Sequence, residues 1–228
     1  MSKLKVKNSE ETIEVNNVYC IGRNYHEHIK EMGYTDNRDD VKKAPVVFLK
    51  PNSAINSING MVTIPEISGI KISGDLQNEV ELVIIIGEDG INISEDNALE
   101  YIYGYAVGID FTLRDLQTEM KKKGLPWAVS KGFFSSAPVS EITLKDDIGV
   151  IRNLNITLSV NGEIRQNANT SQMIYSVEYM IHYLSSIFSL KKGDIIFTGT
   201  PAGVSTLKTG DIVEASIEEI GNINIKVV

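Results

Sequence analysis

Apolar residues follow two rhythms along this chain. In the first they alternate with polar ones. Leu154, Ile156, Leu158 and Val160 take turns with Asn155, Thr157 and Ser159 up to Asn161-Gly162. Val213, Ala215 and Ile217 are answered by Ile223, Ile225 and Val227 about Gly221-Asn222. Side chains alternate faces along a strand, so these segments predict hairpins, the last with one solvated face. In the second rhythm apolar residues run almost without a break, over 18–21, 46–49, 82–86, 103–109 and 195–197. Runs of this kind predict strands, and the 82–86 run predicts one covered on both faces.

Helical spacing is rarer. The segment 23–32 reads as a short helix closed by Gly33, and 94–101 as a short capped helix. Thr112 is placed to cap a helix that carries Asp115 in its first turn, runs to Lys123 and stops at Gly124. Met173, Val177, Met180, Ile181 and Leu184 form the apolar stripe of an amphipathic helix over 173–186, with His182 off the stripe at its boundary. Short β segments are expected at 62–64 and from Val139 to Thr143. Residues 1–17 are polar and read as an arm or edge strand, and 34–44 as a surface loop of the kind that gates sites. The expected class is β-rich α+β, with a single domain over 18–228.

Composition narrows the partners. The chain has 228 residues and a net charge of −8. That argues against nucleic acid and anionic membrane as partners. No apolar run is long enough to span a bilayer, and the N-terminus has no secretory apolar core. Cys20 is the single cysteine, which points to the cytoplasm and to a small buried residue rather than a nucleophile.

The chemistry gathers at Glu79-Val80-Glu81. Strand parity puts Glu79 and Glu81 on one side and Val80 on the other. Two like charges at the mouth of a buried strand need a cation, a proton or a basic partner. Asp110 also ends an apolar strand, and three such carboxylates suit Mg²⁺ or Mn²⁺. A solvated strand end is the bland alternative. His28 and Glu31 are three apart on a short helix, so Glu31 can orient the imidazole as a base toward water, or the two form a surface ion pair. His26 and His28 as a metal pair would need strand geometry. Arg114 and Gln117 share a helix face near Asp110, and Arg suits a substrate carboxylate. Lys131 reads by default as solvated. The 198–203 segment offers backbone N–H groups and a hydroxyl to an oxyanion, but fits neither a Walker A nor a dinucleotide fingerprint.

Several stretches in this order resemble the fumarylacetoacetate hydrolase family: Gly22-Arg23-Asn24-Tyr25, Phe48-Leu49-Lys50-Pro51, Glu79-Val80-Glu81-Leu82, Gly104-Tyr105 through Asp110, Arg114-Asp115-Leu116-Gln117, Lys122-Lys123-Gly124-Leu125-Pro126-Trp127, and Gly193-Asp194 through Gly199-Thr200-Pro201-Ala202-Gly203. The match is to its small single-domain branch of acylpyruvases and oxaloacetate decarboxylases or tautomerases. The resemblance implies a mixed β-roll, a homodimer, and one Mg²⁺ or Mn²⁺ held by Glu79, Glu81 and Asp110. It implies His28 and Glu31 as the water-activating pair, on a lid helix and loop at about 23–44. It implies Lys131, Arg114, Gln117 and Thr200 at substrate-contacting positions. Gln77-Asn78 departs from the histidine or aromatic residue that often precedes the first Glu in close relatives, which bears on substrate preference.

The implied activity is metal-dependent hydrolysis of a C–C bond in a short acylpyruvate, giving pyruvate and a carboxylic acid, with Lys131 stabilising developing negative charge. The same site permits oxaloacetate decarboxylation or enol–keto tautomerisation. A non-catalytic, metal-bound oligomeric β-domain is the alternative from another class.

Overall fold

In the computed structural model, residues 2–34, 44–55, 60–148 and 151–228 are described. The two apolar rhythms become two sheets. The strand Val80–Ile86 is buried along its whole length. Its Leu82, Ile84 and Ile86 enter one apolar cluster. Val83 and Ile85 enter a second, with Val18, Cys20, Ile195 and Phe197. An uninterrupted apolar run is therefore what this position requires. It lies near the middle of a six-stranded sheet in the order Thr143–Leu144, Ile102–Ile109, Val80–Ile86, Ile195–Phe197, Val18–Gly22, Val46–Lys50. Pairing is antiparallel except between Ile195–Phe197 and Val18–Gly22.

The alternating segments build a five-stranded sheet: Glu163–Asn169, Asn155–Val160, Ile212–Ile217, Gly221–Val227, Met61–Val62. Asn161 and Gly162 both take positive φ, 52° and 81°, as a tight hairpin turn demands. Ile156, Leu158, Val213 and Ile225 pack in the cluster that also holds Leu82 and Ile84, so the two sheets share a core. Cutting a buried Ile or Leu there to Ala costs ~2–5 kcal/mol.

Several element ends differ from the sequence expectation. Thr112 caps nothing; with Leu113 it pairs with Leu76–Gln77 as a two-residue strand. The helix Arg114–Lys123 then starts without a side-chain cap and ends at Gly124 in the left-handed conformation. Ser94 makes no cap bond, and the segment after it is the 3₁₀ helix Glu95–Tyr101. The amphipathic helix is Val177–Ile187, capped by Ser176 at the N–H of Tyr179, with Met173 packed ahead of it. Capping geometry outranked apolar spacing in setting that start. The helix expected over 23–32 is His26–Glu31. Val46–Lys50 is a sheet edge, and Leu49 is 53% exposed. Gly221 belongs to the last strand, so the final turn precedes it. Lys3–Lys5 pairs with Thr12–Glu14. Most of the loop expected at 34–44 lies outside the described residues. Among the described residues no helix is long and apolar enough to cross a membrane.

Candidate active site

Register brings the three carboxylates together. Val80 pairs with Ile109, so the residues flanking the pair, Glu79, Glu81 and Asp110, gather where these two strands end. The N–H of Asp110 donates to the Glu79 carbonyl at 2.8 Å. Val80 points into the core while both glutamates turn away from it. One oxygen from each of the three carboxylates lies within 4.8 Å of the others, and all three residues are buried.

Buried negative charge needs compensation. Lys131 Nζ stands 2.8 Å from Glu79 Oε2 and 2.6 Å from Asp110 Oδ2. The Arg114 guanidinium pairs with the other Glu79 oxygen. Lys50 Nζ lies 2.8 Å from Asp110 Oδ1, with both side chains fully enclosed. That last approach lacks hydrogen-bond alignment, and Asp110 Oδ1 accepts no hydrogen bond among the described residues. Among the described residues Glu81 forms no ion pair; the Gly199 N–H donates to its Oε2 at 2.6 Å. Its carboxyl is pushed well above the usual range by burial and then by Asp110 and Glu79. Burial acts on Glu79 too, but Lys131, Arg114 and His28 outweigh it and hold that carboxyl well below the usual range. Burial alone would lower the Lys131 ammonium; Asp110 and Glu79 raise it instead.

A hard divalent cation fits this set. The donors are all carboxylate oxygens, one buried oxygen has no hydrogen bond, and one carboxylate is short of positive charge. The Lys131 ammonium already sits between two of the three carboxylates, where a cation is drawn.

The front of the site is the helix His26–Glu31, which buries His28 and Ile29. His28 Nδ1 is 3.1 Å from Glu31 Oε2, and the Gly203 N–H donates to Glu31 Oε1 at 2.9 Å. Burial raises the Glu31 carboxyl, but His28 and the Gly203 N–H bring it below its ordinary value. Six residues are too few to hold a helix alone, so the chain before it is tied down. Asn24 accepts from the Tyr175 N–H at 2.7 Å and donates to the Thr198 carbonyl at 2.7 Å. Gly199 and Gly203 have φ of 97° and 103°, where L side chains are strained. A Cβ would meet Asn24 at 2.7 Å in the first and the Arg165 carbonyl at 2.0 Å in the second. Two glycines are what let this loop aim its N–H groups at Glu81 and Glu31. The oxyanion role expected for 198–203 is thus taken, for these two N–H groups, by the protein's own carboxylates.

A cavity of about 40 Å³ is lined by His28, Glu79, Glu81, Asp110, Arg114, Gln117, Lys131 and Thr200, with Glu31 behind His28. The Thr200 hydroxyl donates to the Val80 carbonyl at 2.8 Å and accepts from Gln166. Arg114 donates to Gln77 at 2.7 Å and to Gln117 at 2.6 Å as well as to Glu79. Gln77 therefore helps fix Arg114, while Asn78 is buried against Gln166 and Ser205. Lys131, solvated on the default reading, is buried.

Two residues given no role by sequence reasoning matter here. Lys50 ends an apolar strand, and a lysine in that place demands a buried partner; that signal was present. Gln166 donates to Thr200 Oγ1 and the Pro201 carbonyl, each at 2.8 Å, and accepts from Asn78 at 2.9 Å and from the Val80 N–H at 3.0 Å. It cross-links both halves of the site, yet in an alternating hairpin a glutamine gives no signal.

Comparison with known proteins agrees with this geometry. The model of the fumarylacetoacetate (FAA) hydrolase C-terminal family matches residues 17–228. The chain is 44% identical over 211 residues to the mitochondrial oxaloacetate tautomerase FAHD1 of Mus musculus, covering 92% of this chain and 91% of that one. It is 40% identical over 201 residues to the mitochondrial oxaloacetate decarboxylase of Dictyostelium discoideum, covering 88% of each. The crystal structure of fumarylpyruvate hydrolase from Pseudomonas aeruginosa in complex with Mn²⁺ and pyruvate superposes with a TM-score of 0.92 at 36% identity, covering 100% of this chain and 95% of that one. Sequence, fold and site geometry together establish that the chain belongs to the fumarylacetoacetate hydrolase family.

Proposed function

We propose that the chain is a divalent-metal-dependent enzyme that hydrolyses a C–C bond in a short 2,4-dioxo acid of the acylpyruvate type. Residues 18–228 form its catalytic domain, and the helix His26–Glu31 is its lid. The observation that carries the reading is an imidazole, braced by Glu31, opening on the cavity that also holds the carboxylate triad. The fumarylpyruvate hydrolase relative, bound to Mn²⁺ and pyruvate, supports it. Mn²⁺ or Mg²⁺ held by Glu79, Glu81 and Asp110 would supply Lewis-acid stabilisation of charge on the 2-oxo acid's oxygens.

His28 takes a proton from water, and Glu31 fixes the ring that receives it. The hydroxide adds to the distal carbonyl. The bond between that carbon and C3 then breaks, its electron pair passing to C3 as the enolate of pyruvate. The enolate takes a proton, and a carboxylic acid leaves. Lys131 offsets the negative charge that develops. Gln117 holds the carboxylate end of the substrate, while Arg114 mainly keeps Glu79 in place. Thr200 forms the wall.

Identities of 40–44% to an oxaloacetate decarboxylase and an oxaloacetate tautomerase favour a second reading at the same site. Tautomerisation needs proton transfer but no attacking water. Side-by-side assays on acylpyruvates and oxaloacetate, with Mn²⁺ or Mg²⁺ and after chelation, separate the two. Metal-dependent release of pyruvate from an acylpyruvate is expected. Turnover confined to oxaloacetate would select the second reading, and turnover unaffected by chelation would defeat both. The proposal extends to a cytoplasmic homodimer on the family resemblance, with sedimentation as the check on assembly.

A further inference from the structure

The helix that carries His28 starts from a tyrosine. Tyr25 is 2% exposed, yet it belongs to neither of the two apolar clusters. Its hydroxyl is buried and, among the described residues, has no hydrogen-bond partner. Burying a hydroxyl in that condition costs stability. Most buried tyrosines find a partner for it, so a tyrosine rather than a phenylalanine at this position needs a reason.

The backbone here is tied down. Tyr25 bridges to Met173, its carbonyl accepts from the Ile29 N–H at 3.1 Å, and Asn24 before it is bonded to Tyr175 and Thr198. The ring therefore hangs from a backbone held by elements outside the helix. Gly199 links this stretch to the triad: its N–H donates to Glu81 Oε2 at 2.6 Å, and a Cβ on it would meet Asn24 at 2.7 Å. Burial raises the Tyr25 phenol far above its usual range, and the Glu81 carboxylate raises it further. The hydroxyl thus keeps its proton and can donate it. Glu81, which forms no ion pair among the described residues, is a buried carboxylate short of compensation. Glu81 must be ionised to hold a divalent cation, and an ionised carboxylate accepts a phenol O–H in a short, charge-assisted bond.

We propose that Tyr25 is a positioning residue for Glu81: in the metal-loaded protein its hydroxyl donates to the Glu81 carboxylate, orients that ligand and ties the start of the helix His26–Glu31 to the metal site. This rests on the metal-site reading above. The effect of the hydroxyl then has opposite signs in the two forms of the protein. It strengthens metal binding, and it destabilises the metal-free chain.

Tyr25→Phe removes the hydroxyl and keeps the ring. Calorimetric titration of Mn²⁺ into the chelator-treated parent and variant is expected to show an affinity about tenfold weaker or more in the variant, as loss of a group that orients a metal ligand gives. The metal-free variant is expected to melt about 2 °C or more above the metal-free parent, because a buried unsatisfied donor is gone. Mn²⁺ is expected to slow amide exchange at residues 26–31 severalfold more in the parent than in the variant. Removing a hydroxyl with a merely structural role would lower the metal-free melt and leave Mn²⁺ affinity alone. Unchanged Mn²⁺ affinity, a metal-free variant that melts no higher than the parent, or equal slowing of exchange in both proteins would each overturn the role of Tyr25 and leave the metal site standing. A parent that binds no Mn²⁺ would overturn the metal-site reading and this proposal together.

Discussion

The rear and front of the cavity are built on opposite plans. The rear is rigid and dense in charge. Glu79, Glu81 and Asp110 issue from strand ends in the core, and Lys50, Lys131 and Arg114 pair with Glu79 and Asp110 with little or no access to solvent. The front is one short helix, held by the Asn24 contacts, by buried Ile29 and by the Glu31–Gly203 bond. A rear wall of this kind cannot lose a charged partner cheaply, because desolvation has already been incurred. A front wall held by few contacts can change with little loss of stability and large loss of chemistry. On the proposed roles, binding and catalysis fall on elements of different stiffness.

Substitutions can break this contrast. Lys50→Met should have the largest effect on stability, ~3–5 kcal/mol, because it leaves the enclosed Asp110 Oδ1 without a cation and removes one of the two ammonium groups that hold this buried carboxylate. For a domain of this size that is about 10 °C in a thermal melt; a loss near 1 °C would mean the rear wall is not charge-coupled. His28→Ala should lower hydrolytic C–C cleavage ~10²–10³-fold, with a melting temperature close to that of the parent. A large fall in stability would show the front wall to be structural. Gln166→Leu should cost ~2–3 kcal/mol, by stranding buried donors and acceptors on both sides of the site. Urea denaturation measures this, and no change would remove Gln166 as the tie between them.

The smallest effect is one of pH. The Glu31 carboxyl lies below its ordinary value in the folded chain. Its contribution is therefore complete above the unfolded value of about 4.3 and fades as pH falls through the lower folded one. Hydrogen exchange at residues 26–31 should quicken below about pH 4 before the rear strands respond. Simultaneous loss of both would erase the distinction.

Much of the rear wall was legible in the chain. The parity of Glu79 and Glu81 and the unbroken run behind them require a strand buried on both faces with two carboxylates on one side. The hairpin at Asn161-Gly162 was equally plain, because two residues of positive φ leave few alternatives. Local signals failed where a tertiary contact decided the outcome. Thr112 looks like a helix cap, but Gln77 across the chain draws it into a strand. The default reading of Lys131 as solvated ignored two acids, one 21 and one 52 residues away. Gln166 was invisible because nothing in an alternating strand distinguishes a cross-link from a solvated face.

On the proposed function, the triad is a divalent-metal site made for a 2-oxo acid. Calorimetric titration of Mn²⁺ into the chelator-treated protein and into Glu81→Gln, each followed by oxalate, tests it most directly. One Mn²⁺ per chain in the parent, oxalate binding only after Mn²⁺, and neither in Glu81→Gln are expected. Oxalate bound equally well without metal, or Mn²⁺ affinity unchanged in Glu81→Gln, would contradict it.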